Sequence, residues 1–105
     1  MERGRFKLTL VNVSLQVLPV VEEAKIYPVV DRVIEYIASC GVKYIVGPME
    51  TTMEGELEEL LEIIKKVQEI CIGEGASRVV SVIKIDYRPE GITMEEKISK
   101  YRNNG

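Results

Sequence analysis

Histidine is absent from the 105 residues, which closes the Ser-His-Asp and Cys-His arrangements and the usual His-containing zinc sites to a single chain. Cysteine is scarce: Cys40 and Cys71 each fall near the end of a helical pattern, where a small apolar side chain packs, and both are expected to be buried free thiols. Aromatic platforms for stacking bases are missing, because Phe6 is the single phenylalanine and the last strand offers only Tyr87, on its apolar side. Strong charge of one sign is missing too. The formal net charge is -3, with Lys and Arg interspersed among Glu, so nucleic acid is not an expected partner. No long apolar run occurs, and residues 1–8 carry Glu2, Arg3, Arg5 and Lys7, so neither a secretory signal nor a membrane partner is expected and the expected location is the cytoplasm. Without an internal repeat, a linker or a low-complexity stretch, residues 1–105 read as a single domain.

What is present is periodicity. Residues 11–17 alternate, with Val11, Val13, Leu15 and Val17 on one side and Asn12, Ser14 and Gln16 on the other, as a half-buried strand requires. Residues 26–40 place Ile26, Val29, Val30, Val33, Ile34, Ile37 and Ala38 at helical spacing, with Pro28 in the first turn and Gly41 beyond the end. Two short strands follow at 43–46 and 49–54, joined through Gly47-Pro48. A second helix is marked by Leu57, Leu60, Leu61, Ile64, Val67 and Cys71 and ends around Gly73 and Gly75. Alternation resumes over 78–88, and residues 94–101 form a weakly amphipathic helix through Met94, Ile98 and Tyr101, expected to dock on a neighbour or to fray. The order βαββαβ predicts an α+β ferredoxin-like sandwich: a four-stranded antiparallel sheet, two helices on one face, and a short C-terminal helix.

The sheet face away from the helices is expected to carry Asn12, Ser14 and Gln16 from the first strand and Lys84, Asp86 and Arg88 from the fourth, two strands read as non-adjacent. That face is either a solvated surface or the polar wall of a pocket. Val80 and Val82 interrupt its polarity, which predicts self-association into a dimer or tetramer. The segment 47–56 gathers hydroxyls and carboxylates before a helix. Thr51 and Thr52 either satisfy turn backbone or face a pocket, and Glu54 and Glu56 either favour the following helix dipole or, for Glu54, meet a cationic or amino-bearing ligand.

The run Pro48-Met49-Glu50-Thr51-Thr52-Met53-Glu54-Gly55-Glu56, together with Arg78-Val79-Val80, Lys84-Ile85-Asp86-Tyr87-Arg88 and Lys97-Ile98, resembles the small thiamine-binding protein family, related to the YkoF-like proteins. Thr51, Glu54 and Gly55 match its threonine and Glu-Gly motif, while Glu50 stands where the family often has glycine, which admits positive φ more cheaply. The resemblance implies a ferredoxin-like dimer or tetramer that binds thiamine or its hydroxymethylpyrimidine portion as a carrier or sensor. It implies no catalysis and no cofactor or metal beyond that ligand. The expected ligand-binding residues are Ser14, Thr51, Thr52, Glu54 and Asp86: the hydroxyls orient the pyrimidine, and Glu54 or Asp86 supplies negative charge. Two other readings stand beside this one. The first is a regulatory or assembly module of the same topology with another small ligand. The second is an acylphosphatase-like enzyme, for which Arg5 and Asn12 exist but no glycine-rich phosphate loop accompanies them.

Overall fold

Valine and leucine at every second position give the first strand one wholly apolar side, and in the computed structural model Val11, Val13 and Leu15 are buried along β1, Leu10–Pro19. The structure describes residues 9–102; residues 1–8, with the Arg5 and Phe6 weighed above, and residues 103–105 lie outside the described residues. After a 3-10 turn at Glu23–Lys25 the chain forms α1 (Ile26–Ser39), β2 (Lys43–Val46), β3 (Thr51–Glu56), α2 (Leu57–Gly73), β4 (Val79–Asp86) and α3 (Met94–Arg102). Between β2 and β3 the Gly47 amide donates to the Glu50 carbonyl at 2.8 Å, so residues 48–49 form the tip of the hairpin and β3 starts later than the sequence implies. It also runs further, through Gly55 to Glu56, with α2 following at once. Gly55 permits that junction: a Cβ there would lie 3.2 Å from Leu60 Cδ2, tighter than ordinary packing.

The sheet order is β2-β3-β1-β4, antiparallel throughout. This is the ferredoxin-like arrangement, and it corrects one expectation. The first and fourth strands are direct neighbours, paired from Asn12 opposite Asp86 to Pro19 opposite Val79. The cause lies in the crossovers. The connection through α1 skips the place that β3 takes, and the connection through α2 skips the place of β1, so the two units interleave and leave β4 beside β1.

One core fills the space between the sheet and the pair α1 and α2. Val29, Val33 and Ile37 from α1 and Leu60, Ile63, Ile64, Val67 and Cys71 from α2 meet Val11, Val13, Leu15 and Met53 from the strands. Both cysteines are free thiols; Cys71 is buried and its thiol is pushed up by that burial, while Cys40 is half-buried and donates from Sγ to the Tyr36 carbonyl at 3.2 Å. No helix among the described residues is long and apolar enough to cross a membrane.

Candidate functional site

Strand alternation decides what the opposite sheet face carries. Since Val11, Val13 and Leu15 point into the core, Asn12 and Ser14 point away from it, and the pairing brings Glu54 and Thr52 from β3 and Asp86 and Lys84 from β4 beside them. Such a face is normally wet, but Asn12 is only 3% exposed and Ser14 8%. The cover is the C-terminal segment, which folds back over this face of its own sheet.

Its docking is specific. The Ile92 amide donates to the Leu10 carbonyl at 2.9 Å, and Asn12 Nδ2 donates to the Ile92 carbonyl at 3.1 Å. Glu54, itself buried, accepts the Met94 amide on Oε1 at 2.7 Å. Met94 opens α3, so the carboxylate meets one of the unsatisfied N–H groups of a helix N-terminus and the favourable end of its dipole. The helix it serves is α3, not the α2 that follows it in sequence. Lys97 Nζ reaches Asp86 Oδ2 at 2.6 Å. Upstream, Arg88 Nε donates to the Gly91 carbonyl at 2.8 Å, closing a turn in which Gly91 takes φ 95°, open to glycine at little cost.

The helix start is a capping box. Thr93 Oγ1 accepts the Glu96 amide at 3.1 Å, and Glu96 Oε1 accepts the Thr93 amide at 3.3 Å. The Thr93 amide hydrogen bond, together with Arg88, holds the Glu96 carboxyl below the usual carboxylate range.

Between α3 and the sheet remains a cavity of about 410 Å³, within the size range of small-ligand sites. Its floor is Asn12 and Ser14; Thr52, Glu50, Lys84, Asp86 and Lys97 supply further polar groups, and Ile45, Met94 and Ile98 supply apolar wall. The rim charges are paired, Lys84 with Glu50 at 3.3 Å and Lys97 with Asp86. The floor is not satisfied. Among the described residues Asn12 Oδ1 and Ser14 Oγ are buried without a hydrogen-bond partner, although most buried polar side-chain atoms in proteins have one. Because Asn12 Nδ2 is fixed by a carbonyl, the orphaned atom on that side chain is an acceptor.

Of the five residues expected at the site, Ser14, Thr52 and Asp86 line this cavity, and Glu54 stands on the same face, engaged with α3. Thr51 is on the other side. Neighbouring strand residues point to opposite faces, so Thr51 lies opposite Leu15 and lines a smaller cavity of about 250 Å³ between α1 and the β2–β3 hairpin, with Tyr27, Val30 and Met49. Sequence reasoning placed Asn12 on the candidate pocket wall but left it out of the expected ligand-binding residues, and it missed the α3 wall. The alternation that exposed Ser14 had already placed Asn12 beside it, and Thr93-x-x-Glu96 is a helix-start signature. Among the described residues no group of three or more Cys, Asp or Glu side chains is placed to hold a metal ion.

A half-enclosed cavity with an unsatisfied polar floor on a ferredoxin-like sheet defines a small-ligand-binding protein. The chain belongs to the thiamine-binding protein family: the model of that family, described as thiamine-binding protein, matches residues 13–102. It is 67% identical over 91 residues to a UPF0045 protein of Clostridium perfringens, spanning 87% of this chain and 96% of that one. Among solved structures it is similar to a Bacillus cereus domain of unknown function, with TM-score 0.86 and 45% identity over 91% of this chain and 93% of the other. A Thermotoga maritima protein provisionally assigned to thiamine biosynthesis or salvage gives TM-score 0.83 and 47% identity, covering 89% of this chain and 99% of that structure.

Proposed function

We propose that this protein is a non-catalytic carrier or sensor that binds thiamine, or its hydroxymethylpyrimidine portion, in the cavity between the open sheet face and α3, and that it works as a homo-oligomer. The observation that carries this reading is the orphaned pair on β1: an amide acceptor and a hydroxyl, two residues apart on one face, buried and facing the cavity. A ligand that relieves them needs a donor for Asn12 Oδ1 and an adjacent polar group for Ser14 Oγ. An aminopyrimidine has both, an exocyclic amino group beside a ring nitrogen. Thr52 lies across from Ser14 and offers a further hydroxyl to the ring. The cationic thiazolium then takes the Asp86 or Glu50 carboxylate, each of which already tolerates a lysine as its counter-ion. In this scheme Glu54 contributes by holding Met94 and the α3 wall in place. The family membership and the thiamine assignment of the Thermotoga maritima relative support the same ligand class.

Titration calorimetry with thiamine, its phosphates and hydroxymethylpyrimidine tests it. Saturable heat with at least one of them is expected. Absence of heat with all of them at millimolar concentration overturns the reading.

A further inference from the structure

An amide side chain in a binding site is ordinarily adaptable, because turning it over exchanges a donor for an acceptor. Asn12 has lost that freedom. Its Nδ2 faces the Ile92 carbonyl at 3.1 Å, and a carbonyl only accepts, so the nitrogen is the atom on that side. Turned over, the amide would set two oxygens against each other and leave the Ile92 carbonyl without its donor. That carbonyl is itself held in place: the Ile92 amide donates to the Leu10 carbonyl at 2.9 Å, and the Met94 amide two residues on donates to Glu54 at 2.7 Å.

The consequence is an acceptor, Asn12 Oδ1, fixed at the floor of the cavity with no donor among the described residues. Its neighbours on the sheet do not supply one. Asn12 is paired with Glu54 on β3 and with Asp86 on β4, and both carboxylates act as acceptors, Glu54 from the Met94 amide and Asp86 from Lys97. Ser14 differs in kind, since a hydroxyl rotates and both donates and accepts.

We propose that Asn12 sets the specificity of the cavity, which selects aminopyrimidines over the corresponding oxopyrimidines. The inference rests on the reading of the cavity as a site for thiamine or hydroxymethylpyrimidine and names the feature of the ring that is read. An aminopyrimidine shows an exocyclic N–H donor beside a ring-nitrogen acceptor, whereas the oxo ring in its lactam form shows a carbonyl acceptor beside a ring N–H. Ser14 answers either pattern. Asn12 answers only the first, because an oxo group would bring a second oxygen against Oδ1. An oxo ring offers Asn12 a donor only by turning over, which carries the substituent next to its exocyclic group to the opposite side of the site. In thiamine that substituent is the arm to the thiazolium, so the cation would leave the carboxylate it faces. A site that hydrogen-bonds a buried polar group rejects an analogue unable to pair with it far more strongly than an apolar pocket rejects a change of size.

The test is calorimetry with thiamine and with its oxo counterpart, in which oxygen replaces the exocyclic amino group, on the wild-type chain, Asn12→Ala and Ser14→Ala. The wild type is expected to prefer the amino ligand by at least about a hundredfold, the combined effect of a lost hydrogen bond and an unpaired buried acceptor. Asn12→Ala should bring the two affinities within about threefold of each other, while Ser14→Ala should weaken both ligands and keep most of the preference. The ratio of affinities is the readout, because a merely structural role for Asn12 would lower both together. Equal affinities in the wild type, or a preference that survives Asn12→Ala, overturns the proposal. Should Asn12→Ala fail to fold by circular dichroism, the wild-type ratio decides alone. The lock is checked without ligand by NMR: slowed exchange of an Asn12 Nδ2 proton is expected, and exchange at the rate of an exposed amide overturns it. Two rings bound alike sink this inference and leave the ligand reading standing, whereas no heat with either ring sinks the ligand reading and the selectivity with it.

Discussion

Among the described residues nothing hydrogen-bonds the buried Ser14 hydroxyl, and such a group is carried against the interest of the fold. Removing it should therefore separate stability from binding. The Ser14→Ala chain is expected to unfold in denaturant with a stability unchanged or raised by up to about 1 kcal/mol, because the desolvation penalty of the orphaned oxygen disappears. Its affinity for the aminopyrimidine ligand should fall about tenfold, the value of one lost hydrogen bond at roughly 1.4 kcal/mol. A loss of stability together with unchanged affinity would show that Ser14 has a hidden structural partner. Asn12 lacks this freedom, since its Nδ2 also anchors the Ile92 carbonyl.

At the scale of elements, α3 is nine residues long, too short to persist in water by its own hydrogen bonds. What holds it is the Glu54 carboxylate on the Met94 amide, the capping box and the Lys97–Asp86 pair. Glu54→Ala leaves that amide without an acceptor and should release the helix from the sheet. Hydrogen exchange is expected to accelerate by at least tenfold across α3 while the core strands keep their protection. The docking also depends on pH through Glu96. A carboxyl whose folded-state pKa lies below its unfolded value stabilises the folded form fully above the ordinary glutamate range, and that contribution fades as pH falls through the lowered value. Protection of α3 should therefore weaken on acidification below about pH 4, and Glu96→Gln should flatten that part of the profile.

The whole molecule depends on the layer between the sheet and α1 with α2. Met53 lies at its centre, fully buried on β3 between Val13 of β1 and Tyr44 of β2. Met53→Ala should cost roughly 2–5 kcal/mol, read as a lower denaturant midpoint with an unchanged slope. The range reflects how far the helices can settle into the space left behind. A cost below about 1 kcal/mol would mean that the sheet and helices are less tightly packed than this burial implies.

Periodicity along the chain determined the elements and the fold, because strands and helices bury their apolar residues at spacings of two and of three to four, and Val11-Val13-Leu15 and Leu60-Ile64-Val67 obey them. It determined as well that Ser14 and Asp86 leave the core side, and the family resemblance rested on residues read in order. Three matters were settled only in space. The adjacency of β1 and β4 followed from how two crossovers interleave, a property of the connections and not of any segment. Alternation alone parts Thr51 from Thr52, but which of them faces the cavity was fixed by the register of β3 against β1. The cavity itself exists because a helix distant in sequence returns to Glu54 and Asn12, contacts forty and eighty residues apart that no local pattern encodes.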